Sequence, residues 1–345
     1  MKDIAEFSKK LKENYEPRKT NFTKPVSTWS EKDLLNGKIV DTFVIIFRTK
    51  GCSWALESGC SMCGYFNDSA LEEISEKDLI TQFETSMKNY KEEPFVKIFT
   101  SGSFLDDEEI PKNVRHNILA SLYKTADKVS VESRPEYITE EKISEIKELY
   151  KNKTFEIGIG LETANDEIRD KIINKGFTFK DYKKAAELMK KNDIKLKTYL
   201  LIKPPYFTEK QAIEDAIDTV EKIKNMTDIV SFNPVNVQRN TVVNYLWQRR
   251  MYRPAWLFSV VEILKKSKEM APNVRIKCDI VGGGNIRGAH NCKGCDKQFL
   301  KAISDFSLKQ DIKLLKNLDC NCKDKWLDQL DIESLGFESH VNMYG

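Results

Sequence analysis

The sequence predicts an α/β fold built around a parallel sheet. Short apolar runs recur along the chain, and amphipathic stretches of helical period fill the gaps between them. The length, 345 residues, is ample for one large buried core with a smaller unit appended. Apolar residues make up 40% of the chain, which argues for a globular protein and against a disordered one.

Strands are expected at "TFVIIF" (42–47), "FVKIFT" (95–100), "KVSVE" (128–132), "FEIGIG" (155–160), "KLKTYLL" (195–201) and "DIVSFN" (228–233). Helical patterns fall near 76–90, 107–124, 139–151, 165–174, 179–192 and 208–225. Such alternation makes right-handed βαβ units, and six of them build either an open doubly wound sheet or most of a (β/α) barrel. In both, ligands belong at the carboxyl ends of the strands. Residues 1–40 read as an accessory segment, with a helix near 3–14 and then an extended stretch containing Pro and Thr. There is no internal repeat and no low-complexity linker.

The N-terminal stretch is too charged for a secretory signal, and no apolar run approaches the ~20 residues of a membrane span. A soluble cytoplasmic protein with no membrane partner is expected. Basic and acidic residues number 56 and 53, so any nucleic-acid surface must be local. In a reducing compartment the eight cysteines point to metal or redox chemistry and away from disulfides.

Three of them, Cys52, Cys60 and Cys63, share the loop "GCSWALESGCSMCGYF" after the first strand, spaced C-x7-C-x2-C. Three thiolates can ligate three irons of a 4Fe–4S cluster and leave the fourth iron without a protein ligand. A closed zinc site or an electron-carrying ferredoxin would want a fourth ligand nearby, and His116 lies far along the chain.

This loop resembles the cluster loop of the radical S-adenosylmethionine (SAM) enzymes, in which SAM chelates the open iron. The first spacer here is seven residues instead of the common three, as in longer-spaced tRNA-modifying branches. The resemblance covers about 41–240 and implies a partial (β/α)6 TIM-like barrel of the radical SAM type. It places Met62 near the SAM adenine. It gives Ser101, Gly102 and Ser103 of "TSGSFLD" the place of the family's Gly-Gly-Glu-like element at the SAM amino group. Glu132 and Arg134 of "VESRPEYIT" can grip the amino-acid end or ribose of SAM. Glu162, Lys203 and Asn233 stand at the next strand ends and are read as further cofactor-binding residues, with Asn236 beside them.

The tail carries a second group, with Cys292 and Cys295 as C-x2-C and Cys320 and Cys322 as C-x-C beyond a helix-sized insert. Two close pairs so separated suit a tetrahedral site, most simply a structural zinc held by four cysteines. His290 or Cys278 could replace one ligand, and a second iron–sulfur cluster is the alternative. The expected organisation is an accessory segment (1–40), the core barrel (41–240) and a small metal-binding C-terminal extension (241–345).

Residues 236–256 interleave Arg239, Arg249, Arg250 and Arg253 with Tyr245, Trp247, Tyr252 and Trp256. That composition suits flipped-out or single-stranded nucleotides, or equally a covering helix with aromatics inward and arginines snorkelling.

Taken whole, "GIGLETAND", "LLIKPPYFTE", "AISDFSLKQD" and "LDCNCKDKW" together with the loops above resemble the archaeal archaeosine synthase radical SAM subunit family. That resemblance implies a lyase acting on tRNA, at the 7-deazaguanine of position 15 in the D-loop. A partner subunit attaches lysine to the base nitrile, and this chain, fed by an electron donor, cleaves the lysine side-chain carbon–nitrogen bond to leave archaeosine. The partner is expected to contribute much of the tRNA affinity, since no appended RNA-binding domain is visible. Alternatives are an Elongator-like or other wobble-base radical SAM enzyme, or a non-catalytic iron–sulfur or zinc scaffold of an RNA-processing complex.

Overall fold

A computed structural model describes residues 3–12, 15 and 20–336. Helix α1 (Ile4–Lys12) precedes an antiparallel hairpin of β1 (Ser27–Leu35) and β2 (Lys38–Ile46). Asn36 and Gly37 turn that hairpin, both with positive φ, as a two-residue loop matching the strand twist requires. From β2 onward the chain alternates. The short α2 (Ser53–Glu57) and then α3 (Glu76–Met87) lead to β3 (Phe95–Phe99), and α4 (Lys112–Thr125) leads to β4 (Lys128–Glu132). Next come α5 (Glu140–Leu149), β5 (Thr154–Glu162), a single turn α6 (Asp166–Ile168), α7 (Phe179–Lys191) and β6 (Lys195–Ile202). After these follow α8 (Glu209–Ile223), β7 (Ile229–Pro234), α9 (Val242–Gln248), α10 (Leu257–Met270) and β8 (Arg275–Cys278). The tail holds α11 (Asp296–Lys309) and α12 (Lys323–Gly336). No described helix is long and apolar enough to cross a membrane.

The eight strands form one curled sheet in chain order, parallel from β2 to β8, so the fold is an open half-barrel of the expected radical SAM type. Each of the six expected strands is present. The sheet extends past them at both ends, beginning with β1 inside 1–40 and closing with β8 inside 241–345. Helix starts follow local chemistry: Thr178 and Thr208 cap α7 and α8 through full capping boxes with Asp181 and Gln211.

Alternation along the strands sends one set of side chains to the helices and the other to the barrel interior. Val96, Ile98, Val129, Val131, Ile157, Ile159, Leu196 and Val230 join helix residues such as Ile118, Ile143, Met189 and Val220 in one apolar core. The opposite face is polar. Lys128 and Lys197 pair with Glu156 at 2.5 and 3.1 Å, and Ser130 Oγ donates to Glu156 at 2.7 Å. Arg275 of β8 reaches Asp33 of β1 at 2.5 Å, and Lys97 of β3 pairs with the same carboxylate.

Burial alone would raise the Glu156 carboxyl, but the two lysines and two hydrogen bonds hold it far below the carboxylate range. A depressed carboxyl stabilises the fold above its ordinary pKa, and that contribution is lost as pH falls. Glu156→Gln is therefore expected to cost about 3–5 kcal/mol at pH 7, by stranding two buried ammonium groups. Denaturant unfolding across pH should show the gap to wild type narrowing below about pH 4.

Candidate active site and metal centre

The chain leaving β2 turns at Gly51 (φ 105°) and delivers Cys52 to the start of α2, so the seven-residue spacer is mostly one turn of helix. Cys60 and Cys63 follow on the return, all three thiols half-buried. Trp54 fastens the spacer from above, its Nε1–H donating to Asn174 O at 2.7 Å. Asn174, in the left-handed region, donates through Nδ2 to Ser58 Oγ (2.7 Å) and Gly59 O (2.8 Å). Gly176 (φ 75°) tolerates no side chain here, because a Cβ would lie 2.7 Å from the Trp54 ring.

From the other side comes Lys12 of α1. Its ammonium donates to Ser58 O at 2.9 Å and Ala55 O at 3.2 Å, capping the free carbonyls at the end of α2. Burial lowers this lysine's pKa, while the nearby charges of Cys63, Cys60 and Cys52 oppose the shift. A cation and three thiols thus share one small volume.

The loop after β3 packs directly beneath. A Cβ at Gly102 would sit 2.6 Å from Cys52 Cα and 2.3 Å from a Glu109 carboxylate oxygen, so only glycine allows this approach. Ser103 is buried; its N–H donates to Glu109 at 2.5 Å and its Oγ accepts from Arg134 N–H at 3.0 Å. Ser101 Oγ donates weakly to Tyr65 O at 3.5 Å. Glu109 also accepts from Thr49 Oγ1 at 2.6 Å, and burial pushes its carboxyl up to about 7.

Arg134 lies over the rings of Trp54 and Phe177, pairs with Glu136 and donates to Lys175 O at 2.9 Å. Glu162 follows an irregularity in the β5–β6 pairing, has φ +68° and binds Lys175 at 2.6 Å. Burial would depress the Lys175 ammonium, but the Glu162 carboxylate and the Cys60 charge together outweigh it and the pKa rises. Burial raises the Glu132 carboxyl at the end of β4, opposed by a Tyr199 hydrogen bond and by the Lys197 charge. Met62 packs with Val235, Val237, Val242 and Val243 at the mouth.

Lys203 stands apart. Its φ of +60° accompanies a buried ammonium paired with Glu209 at 2.6 Å, so its charge braces α8. Asn233 is half-buried at the end of β7, beside Leu201. The structure thus brings Ser101, Gly102, Ser103, Arg134 and Glu162 around the three-cysteine loop. It adds Lys12, Glu109, Asn174 and Lys175, which sequence reading missed. Only "NKG" at 174–176 carried a local turn signal for any of them.

Three thiols without a carboxylate or imidazole among them are a donor set for iron. Burial pushes the Cys63 thiol up to about 12 and raises Cys52, so coordination is what would make them thiolates. The residues fit a cluster carried on this loop.

In the tail, the sulfurs of Cys292, Cys295, Cys320 and Cys322 all lie within 4.8 Å of one another. Cys292 is 3.5 Å from Cys295 and 3.7 Å from Cys320, and Cys295 is 3.7 Å from Cys322. A tetrahedron with metal–sulfur bonds of ~2.3 Å has edges of about 3.8 Å, so these sulfurs fit one metal ion. A cubane binds each cysteine through a different iron, which needs a wider spread. Burial raises the Cys292 thiol, but Cys295 N–H and the neighbouring thiols bring it down to about 7. Cys278, on β8, and His290, whose Nδ1 meets Gly288 O at 2.8 Å, are not members of the set.

Residues 46–220 match the radical SAM superfamily. Over 344 residues the chain is 41% identical to archaeosine synthase subunit beta of Methanosarcina acetivorans, covering 99% of this chain and 98% of that one. It is 38% identical over 305 residues to archaeosine synthase subunit beta of Thermococcus kodakarensis, covering 86% and 94%. Among solved structures, it is similar to an N-terminally truncated archaeal Elp3 of Methanocaldococcus infernus at TM-score 0.49 and 19% identity, covering 68% and 59%.

Removing the α2 cap is expected to loosen the loop without unfolding the barrel. Lys12→Ala should speed amide exchange across 53–64 by about 3–10-fold, the effect of losing ~1 kcal/mol at a helix end. Exchange in β3 to β7 should stay unchanged.

Proposed function

The chain belongs to the radical SAM superfamily and, within it, to the archaeosine synthase subunit beta family, and from that premise we propose that it is a tRNA-modifying lyase. In this reading it completes archaeosine at position 15 by cleaving the lysine side-chain carbon–nitrogen bond of a lysine-adducted 7-deazaguanine. The observation that supports it most is the three-thiol loop seated against Gly102, a donor set one ligand short of a closed site.

Cys52, Cys60 and Cys63 would hold a 4Fe–4S cluster, with Met62, the 101–103 turn, Arg134 and a carboxylate of Glu132 or Glu162 toward SAM. When bound, cluster and SAM supply a 5′-deoxyadenosyl radical able to take hydrogen from an unactivated carbon. The protein's own part is to orient the substrate and exclude water. Free lysine presents one ammonium and one carboxylate at its amino-acid end. Glu132 and Asp279, at the carboxyl ends of β4 and β8, suit the ammonium. Lys203, paired with Glu209, is assigned to bracing α8. A partner subunit would supply the lysine adduct and an electron donor the reducing equivalent. For the tail we propose a structural zinc on Cys292, Cys295, Cys320 and Cys322.

Anaerobic metal analysis should give about four iron and one zinc per chain. Incubation with tRNA bearing the lysine adduct, then digestion to nucleosides, should yield archaeosine. SAM cleavage with no archaeosine would refute the substrate. Cys60→Ala should abolish iron binding and turnover, whereas Cys322→Ala should keep the iron, lose the zinc and lower the midpoint of thermal unfolding. Equal iron loss in both variants would favour two iron–sulfur sites.

A further inference from the structure

The arginine- and aromatic-rich stretch 236–256 divides in the fold. Tyr252 and Trp256 turn inward: Tyr252 OH donates to Lys203 O at 2.7 Å and Trp256 Nε1–H to Gln329 at 2.7 Å. Arg253 lies over Trp256 and donates to the carbonyls of Pro254 and His290. These residues are structural. Arg239, Arg249 and Arg250 stay exposed on the rim, next to Tyr245 and Trp247.

A distant loop completes this rim. Arg287 lies over the Trp247 ring at 4.6 Å, donates to Asn244 Oδ1 at 2.8 Å and feels the Arg239 charge. Trp247 Nε1–H in turn reaches Ile286 O at 3.3 Å. Arg249 lies 3.5 Å over the Tyr245 ring. The rim abuts the three-cysteine loop: Asn67 Nδ2 donates to Arg239 O at 3.2 Å, and Gly64 N to Gln238 Oε1 at 2.5 Å.

Two features need explanation. Among the described residues, no ion pair is formed by Arg239, Arg249, Arg250 or Arg287, whereas buried Lys97, Lys128, Lys197 and Lys203 are all paired with carboxylates. Four like charges grouped on one rim repel one another, and no carboxylate among the described residues neutralises them. Ile286 and Met251, next to Arg287 and Arg250 in the chain, are exposed by 61 and 66%. Planar guanidinium–aromatic pairs beside apolar side chains match unstacked bases and their phosphates, and match an acidic protein surface less well.

We propose that this rim, centred on Arg239, Arg249 and Arg287 with Trp247, grips the RNA segment flanking the base that enters the mouth. The assignment rests on the tRNA-modifying reading above and adds where this chain holds its substrate. The partner subunit would still contribute much of the tRNA affinity; the rim sets the approach of the target nucleotide.

The test measures binding of fluorescently labelled adduct-bearing tRNA to the full chain across a salt series. Relative to wild type, R239A/R249A/R287A should weaken binding about 10-fold or more and reduce the slope of log K against log salt by up to about 3. The exposed pair R239A/R249A should do about two-thirds of this and guards against misfolding at Arg287. Lysine at the same three positions should restore the slope but not the full affinity, since the planar stack is lost. Unfolding midpoints and iron content report integrity. Unchanged affinity and slope in the triple variant, with wild type still converting the tRNA, would overturn the rim and leave the function standing. Intact tRNA binding with lost association of the partner subunit would equally overturn it, making the rim a protein interface. If wild type itself neither binds nor converts the tRNA, the functional reading falls first.

Discussion

An open sheet has to be held in its curvature by something other than a closed hydrogen-bond ladder, and here the Asp33 carboxylate does it. No pairing joins β1 to β8 among the described residues. Asp33 of β1 instead accepts from Arg275 of β8 and Lys97 of β3, with Lys277 of β8 at 3.9 Å. Burial would raise this carboxyl; the three cations hold it far below its ordinary range. A charge so placed is tolerable only while its partners stay. The partners come from β3 and from β8, the far edge, so the ion cluster fixes the distance between the edges. Glu156 repeats the device nearby with Lys128 and Lys197. The interior is thus filled with paired ions, and the floor beneath the strand ends is polar where an apolar core would give no purchase on SAM or an amino acid.

The long first spacer of the cysteine loop follows from how that loop is stiffened. Seven residues would be costly to order as coil. Folded as α2, they satisfy their own backbone and leave the free carbonyls at one end to Lys12. Trp54 leaves the helix to sit between Arg134 and Gly176, which ties the spacer to the loops after β4 and β5. The thiol of Cys52 is therefore positioned by residues from at least three other segments.

The parallel strands were legible because each is a short apolar run on a buried sheet, and their polar ends followed by topology. β1 was not, because it is an edge strand whose "STWSEKDLL" is largely exposed, although Asn36-Gly37 marked its hairpin. β8 is four residues with two cations, below the length at which periodicity speaks. The candidate site divides in the same way. Ser101, Gly102, Ser103 and Arg134 could be read from strand-end position, but that position says nothing of side-chain direction. Lys203 shows the difference, since a positive φ accompanies its turn to Glu209. Lys12 was invisible for another reason: it reaches the loop from 40 residues away in sequence, measured to Cys52, and no local pattern encodes such a contact.

The two cysteine groups are distinguished by what their geometry leaves over. In the tail, four sulfurs lie within 4.8 Å of one another, so a metal held by all four would have no open position for a further ligand. The segments it would hold are α11 and α12, and α12 is more than a cover. Its Trp326 donates to Ser259, its Gln329 accepts from Trp256 and its Glu333 accepts from the backbone N–H of Glu209. Ser259 and Lys203 both bind the Glu209 side chain, and Lys203 ends β6 at the barrel mouth. A chain of polar contacts therefore runs from the tail helix to the residue after β6. On the first loop three sulfurs stand together, and the contacts described around them fasten the loop to its neighbours. The tail can thus brace the mouth mechanically without taking part in its chemistry.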